Sequence, residues 1–553
     1  MNEQKPGVTA LGALVSVLLV AGLIGLGIYM IRRHAEPAPG SPGATTARSD
    51  DGEVAVADVK IEVPRLSPAG TVEIANNVIP IEISEYAGYA GLIAANGGLD
   101  PSENSTFFKN YGVKVKLSIS EGENWSALNE GKIAASVTTA DVLAVYGRQL
   151  HAITPVQIGY SRGADGLVVR KDITRINALK GKTIATAQFT EVDFLIRYLA
   201  QEAGLRVNAL ASLDSAPNPD RVNVVYTEDG FAAGDLFAAE LKGKNRLAGC
   251  VTWEPKVSEV VNGSNGQAHV LTTNRNLLIV ADVMIVHRTF AEQNPRMVEA
   301  LVQGVLDGNR MVRDHPEMYL DVVGRAFKWS REKTRDELSH VHLANLPENL
   351  AFFSGRIDDA GSFGGIYQSS VLAYGSELIP NPPSAERFID TKALQAMEKS
   401  GQFKEQKIAI APIRGAKGPA VETNPLLSKD IRFLFEPNTA TLDMSDQANL
   451  QSLEDIKKLL QVSPGSTVLL RGHVDNALVP EFRKQGGEAY VRSQALKAME
   501  LSQQRADEIK RVLADRQHVD PKRLDAVGRG WEEPAGTDSA QNRRVEVQWF
   551  TLE

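Results

Sequence analysis

Two hydroxyl-bearing helix starts are the first places in this chain where chemistry could occur. Thr138-Thr139 precede Ala140-Asp141, and Thr190 precedes Val192 to Ala203, where apolar positions recur at helical spacing. At such starts backbone N–H groups lack partners and the helix dipole is positive, so the hydroxyls can cap the helix or donate to a bound oxyanion. Covalent chemistry finds less support. Cys250 is the single cysteine, in the strand-like run Leu247 to Trp253, which reads as a small core residue and excludes an internal disulfide framework or a multi-cysteine metal site. Gly181-Lys182 lacks the remainder of a phosphate loop, and neither a Gly-x-Ser-x-Gly elbow nor clustered His/Glu metal spacing is present. Glu532 and Glu533 are adjacent in a loop and lack the opposed placement of a glycosidase pair. The expectation is a binding protein, not an enzyme, with no cofactor and no metal.

At 553 residues the chain is too long for one core, and two or three domains are expected. A formal net charge of -8 gives no broad cationic field, which argues against general nucleic-acid binding. Between residues 71 and 400 strand-like runs (Val113 to Ser118, Ile184 to Ala187, Val222 to Tyr226, Leu277 to Val286) alternate with helical patterns such as Pro295 to Val312, which predicts an α/β fold with substantial parallel pairing. Residues 427 to 553 predict strands at Ile431 to Phe435, Thr467 to Val474 and Leu524 to Gly528, a helix from Gln447 to Leu460, another from a Ser502 cap to Asp515, and a closing strand. In that last strand Val545, Val547 and Trp549 alternate with Arg544, Glu546 and Gln548. The pattern is an α/β sandwich with helices on one sheet.

Val8 to Ile31 is an uncharged run of about the length a bilayer-spanning helix needs, roughly 20 residues. Arg32-Arg33-His34 follow directly, in place of a cleavage site, so residues 1–34 read as an uncleaved transmembrane anchor. These arginines favour the cytoplasm by the positive-inside rule, yet large domains translocate largely regardless of flanking charge. The absence of Asp and Glu from the run disfavours ion-driven motor function. Residues 35–70, rich in Pro, Gly, Ala and Ser, read as a flexible linker, and 401–426 as a second linker around Gly415 to Pro419.

Arg471-Gly-His-Val-Asp475, Leu501-Ser-Gln-Gln-Arg-Ala506, Gly530-Trp-Glu-Glu-Pro534 and Asn542-Arg-Arg-Val-Glu-Val547 together resemble the peptidoglycan-binding domain of the OmpA family. The resemblance implies that Asp475 and Arg505 hold the diaminopimelate of the wall stem peptide, with Asn542, Arg543 and Arg544 as rim contacts. The pairing suits a zwitterion, since a carboxylate meets its ammonium and a planar guanidinium grips its carboxylate. The connection between Asp475 and Arg505 is longer than the family pattern, roughly Leu478 to Leu501, and its usual Gly-x-x-x-x-Asn element is missing. A wall-binding domain implies a bacterial periplasmic location for everything after the anchor.

A second resemblance covers the middle region, which looks like a periplasmic solute-binding protein of the nitrate/sulfonate/taurine class. It rests on the order of Tyr86-Ala-Gly-Tyr-Ala-Gly, Ala127 to Lys132, Thr138-Thr-Ala-Asp-Val142, Ser161-Arg-Gly-Ala-Asp165, Leu179 to Ala185, Trp253-Glu-Pro255 and Ala281-Asp-Val283. It implies two α/β lobes closing on a small ligand, expected to be anionic. Tyr86, Tyr89, Thr138, Thr139, Ser161, Asp165, Thr190, Trp253, Glu254 and Asp282 are the candidate cleft residues. An ABC permease or another envelope protein is the partner such a domain implies, although the helical anchor departs from the class. A structural tether with a degenerate cleft is a further alternative.

Overall fold

Fully buried apolar strands fix the frame of the middle region, because runs such as 152–161 and 281–287 are buried at every position and can only lie inside a sheet covered on both faces. The structure is a computed structural model and describes residues 55–550 apart from 121–123, 276, 356–360, 411–424, 437–438, 464 and 538. The apolar run Val8–Ile31 lies outside the described residues. Among the described residues no helix is long and apolar enough to cross a membrane.

The first lobe is built on β1 (Val78–Ser84), β2 (Lys114–Ser120), β3 (Ala135–Thr139) and β4 (Ala152–Ser161). The chain then crosses to the second lobe, which holds β5 (Asp165–Arg170), β6 (Thr183–Ala187), β7 (Val207–Ala209), β8 (Val222–Thr227), β9 (Gly249–Trp253) and β10 (Ala268–Thr273). It returns to the first lobe as β11 (Ala281–His287) and β12 (Val341–Leu343). The sheet orders are β12-β4-β11-β3-β1-β2 and β10-β5-β9-β6-β8-β7. Two crossings, 162–164 and 274–280, therefore join the lobes, and Leu277 to Val280 belong to a crossing instead of the strand expected from residue 277. This is the two-lobed periplasmic-binding-protein fold. The crossings are tied to each other: the Asn274 side-chain oxygen accepts from Gly163 N at 2.7 Å and Asp165 N at 3.2 Å.

The linker expected over 35–70 is docked from residue 57 onward. Ala57 N donates to Tyr226 O at 2.7 Å and Lys60 exchanges two 2.8 Å bonds with Gln188, both on the second lobe. Leu66 N and Pro64 O bond Gln149, and Gly70 N donates to Asn129 O, all on the first lobe. Composition misses this strap because its polar backbone is satisfied by glutamine and asparagine side chains far away in sequence.

The C-terminal domain is a four-stranded sheet, β13 (Leu427–Ile431), β16 (Val545–Phe550), β14 (Thr467–Gly472) and β15 (Leu524–Gly528) in that order, with helices Gln447–Gln461 and Val479–Asp515. This is the OmpA-like sandwich. β13 begins four residues earlier than the expected strand at Ile431, because 432–435 leaves the sheet and makes only an isolated bridge from Phe435 to Leu442. The expected Ser502 cap is mid-helix: its hydroxyl donates to Met499 O at 2.8 Å and accepts from Gly530 N at 2.9 Å. The helix instead starts at Val479 and breaks at Gly486-Gly487, where Gly487 takes φ 62. It lies so close to the sheet that a Cβ at Gly472 would collide with the Ser502 carbonyl. Asn177 exchanges bonds with Ser428 N at 2.9 Å and Ser428 O at 3.0 Å, so β13 is pinned to the second lobe.

Candidate functional site

The two lobes and their crossings bring most of the expected cleft residues together. Asp282, the second residue of β11, is the register neighbour of Thr139 at the end of β3, and its Oδ1 accepts from the Tyr89 hydroxyl at 3.2 Å. Tyr86 packs edge-on against Tyr89 at 5.4 Å. Asp165, at the start of β5, accepts from Ser161 Oγ at 2.6 Å and Asn274 Nδ2 at 2.5 Å. Thr138 is buried beside Val283, and strand alternation sends it to the face opposite Thr139.

Three expected residues are engaged elsewhere. The Thr190 hydroxyl donates to Ala187 O at 2.7 Å, Glu254 accepts from Ser258 N and Oγ at 3.1 and 2.9 Å, and half-buried Trp253 stacks on Phe231 at 5.3 Å. Helices do start at Ala140 and Glu191, as the threonines suggest, but neither Thr139 nor Thr190 caps through its side chain.

What sequence reasoning missed is acidic. Asp141 and Glu191 occupy the first turns of those two helices and face Asp165 and Asp282 across the cleft. Burial pushes Asp141 up to about 7, with the charge of Asp165 adding to it. Asp165 is raised to about 6 by burial. Glu191 and Asp282 rise well above the usual carboxylate range through burial and the charges of the other acids. Burial weighs most on all four, followed by Thr139 for Asp141, by Ser161 and Asn274 for Asp165, and by the charge of Asp165 for Glu191 and Asp282; no lysine, arginine or histidine is among these causes. The helix ends expected to hold an oxyanion carry acids of their own in their first turns. A signal was present in Asp141 and Glu191, each directly after a helix start, where an acid usually reads as a complement to the dipole.

In the C-terminal domain a pocket of about 190 Å³ is lined by Arg432, Phe435, His473, Arg505, Arg543 and Arg544, among others. Arg505, on the long helix, lies over the Phe435 ring at 4.8 Å and its Nη2 reaches Thr439 O at 3.5 Å, while its Nε is buried without a partner. Burial and the neighbouring Arg543 lower its pKa, and a guanidinium still stays charged. Asp475, just after β14, is anchored by Ala477 N at 2.6 Å and reaches Arg543 Nη1 at 3.3 Å. Asp475, Arg543 and Arg505 thus follow one another, the two arginines lining the pocket and Asp475 bonded to Arg543 outside that lining. Arg544 lines the pocket while bonding Asp430 at 3.0 Å. Asn542 turns inward: buried, it accepts from Ala535 N and Gly536 N at 2.8 and 3.2 Å, so it shapes the neighbouring turn and is not an exposed rim contact. Glu533 is held by Arg471 at 2.7 Å, and Arg471 also binds Glu546, which, despite burial, bonds from His473, Gln548 and Arg471 keep at about 2. The family-departing connection between Asp475 and Arg505 is the helical stretch up to and beyond the Gly486-Gly487 break.

No curated protein matches the chain. Similar solved structures include the periplasmic aliphatic sulphonate binding protein SsuA of Escherichia coli, at 15% identity over 57% of this chain and 98% of that one, with a TM-score of 0.43. The alkanesulfonate-binding protein SsuA of Xanthomonas axonopodis pv. citri, bound to MOPS, is 12% identical over 58% of this chain and 100% of that one, at 0.43. A putative sulfonate-binding SsuA of Methylobacillus flagellatus KT is 14% identical over 61% and 97%, at 0.44. Residues 102–318 match the family model described as NMT1/THI5 like, and residues 434–548 match that of the OmpA family. The chain joins an NMT1/THI5-like solute-binding domain to an OmpA-family domain.

Proposed function

We propose that this is a single-pass protein of the bacterial inner membrane whose periplasmic part binds a small solute between two lobes and grips peptidoglycan through its C-terminal domain, without catalysis. The observation that carries the wall-binding part is the row Asp475, Arg543, Arg505, in which the two arginines line one pocket and Asp475 is bonded to Arg543. A diaminopimelate side chain carries an ammonium and a carboxylate on one carbon, and such a row offers an acceptor for the first and planar donors for the second. The apolar run Val8–Ile31 supports the anchor.

The test is sedimentation of the full-length protein with purified sacculi. Asp475→Ala and Arg505→Ala are each expected to weaken binding about tenfold or more, the loss of one charged hydrogen-bonded contact of roughly 1.5 to 3 kcal/mol. Undiminished binding by both variants would refute the assignment.

A second reading, a tether whose cleft no longer opens, is favoured by the helix Phe363–Leu378. It packs on both lobes, with Ser370 donating to Asp141 O at 2.8 Å and the Tyr374 hydroxyl reaching Thr190 O at 3.5 Å. The strap at 57–70 adds a second restraint across the lobes. Both features also weigh against a component that hands solute to an ABC permease, which must open and close freely.

A further inference from the structure

We infer that the cleft between the lobes takes an organic cation, a small body carrying ammonium or guanidinium groups, which names the ligand class within the solute-binding reading above and rests on it. Four carboxylates from four elements of both lobes face one another: Asp141 from the helix Ala140–Tyr146, Asp165 from β5, Glu191 from the helix Glu191–Glu202, and Asp282 from β11. Asp165 is already bonded by Ser161 and Asn274 and serves as a fixed wall. The other acids are less satisfied. Neither oxygen of Asp141 accepts a hydrogen bond of good geometry, nor does Oδ2 of Asp282, although the residues are 0% and 3% exposed.

Two hydroxyls lie against these acids. That of Thr139, 7% exposed, sits beside Asp141 and that of Tyr86 beside Asp282 and Ser161, yet neither makes a hydrogen bond of good geometry. Buried acceptors without partners are costly, and the unfilled oxygens of Asp141 and Asp282 in one place call for a ligand that supplies donors. Ammonium and guanidinium groups supply only donors, which unfilled carboxylate oxygens accept. An oxyanion would bring further acceptors to a site whose acceptors are already unfilled.

The spread of the acids separates an organic cation from a metal ion. Among the described residues the one acid and histidine group compact enough to hold a metal, within 4.8 Å, is His473, Glu533 and Glu546 in the other domain, where Arg471 already bridges both carboxylates. The cleft acids are farther apart than that, which fits a multi-atom body. Outside the cluster, Glu337 is pushed up to about 7 by burial, with the charges of Glu254 and Glu85 adding to it and that of Lys333 opposing. Glu85 directly adjoins Tyr86, so a further acid flanks the cluster in sequence.

Proton linkage gives a readout that does not depend on the ligand's identity. Asp141 is faced by Thr139, Asp165 from β5, Glu191 from its helix, Asp282 from β11 and Tyr374 from the helix Phe363–Leu378, beyond whose ring Arg197 is held by Asp193; Tyr86 and Tyr89 face Asp282. With folded-state pKa values above those of the unfolded chain, the folded state holds extra protons. Stability is therefore fully present below about pH 4 for these groups and is lost as pH rises through about 6 to 7. A cation binds the deprotonated form, so its affinity rises over the same interval.

The experiment is calorimetric titration and thermal unfolding of the full-length protein in detergent, with spermidine, agmatine, taurine and MOPS as probes, at pH 6 and pH 8. Expected is binding of spermidine or agmatine that is about tenfold tighter at pH 8, a ligand-free Tm that is lower at pH 8, and loss of at least tenfold in affinity in Asp141→Asn and in Asp282→Asn. Asp141→Asn should also raise the ligand-free Tm at pH 8; if that variant fails to fold, Asp282→Asn and the wild-type pH comparison decide. Binding of taurine or MOPS with both amines silent would overturn the cation and leave the solute-binding reading standing. Silence of all four probes would overturn both.

Discussion

Arg505 contributes more than a positive charge. Its guanidinium is stacked on Phe435 and presents parallel donors toward a pocket, a geometry a lysine ammonium cannot reproduce. Arg505→Lys is therefore expected to keep the fold and yet weaken sacculus binding about tenfold, measured by sedimentation; a lysine variant that binds like the parent would mean that charge alone suffices. Asp475 and Arg505 could be named from the sequence because each sits inside a short contiguous motif. Asp141, Asp165, Glu191 and Asp282 were not legible as a group, since only the crossing of the chain between lobes collects residues so distant in sequence. The hydroxyls at Thr139 and Thr190 marked helix starts correctly, but the sign of the cleft charge lay in the acids just after them.

Among elements, the strap is where composition misleads most. Pro, Gly and Ser between 57 and 70 suggest free chain, whereas Gln149, Gln188 and Asn129 satisfy its backbone across both lobes. Gln149→Ala removes two part-buried bonds, each contributing about 1 kcal/mol, and should speed tryptic cleavage at Lys60 and Arg65 roughly fivefold or more. Unchanged cleavage would show that apolar contacts alone hold the strap. The long helix holds a comparable lesson. Its interior, with Ala506, Ile509 and Leu513 buried on one stripe, followed from periodicity, but its start did not. Ser502 resembles a cap in sequence, yet Gly472 and Gly528 let the helix press on the sheet, and the hydroxyl is used to fasten the loop after β15 at Gly530.

At the scale of the molecule, two charged sites of different character are joined through a docked interface. The helix Glu191–Glu202 begins in the acidic cleft, and its last residue, Glu202, faces Lys429 of β13 and Asp455. The pocket of the C-terminal domain is rich in arginine and the cleft is rich in carboxylates. The most direct measurement compares the affinity of the full-length protein for a soluble stem peptide containing diaminopimelate with that for the same peptide carrying lysine, which lacks the second carboxylate. If Arg505 and Asp475 hold opposite ends of one amino acid, the lysine peptide binds at least about tenfold more weakly and Arg505→Ala erases the difference. Equal affinity for the two peptides would contradict the account.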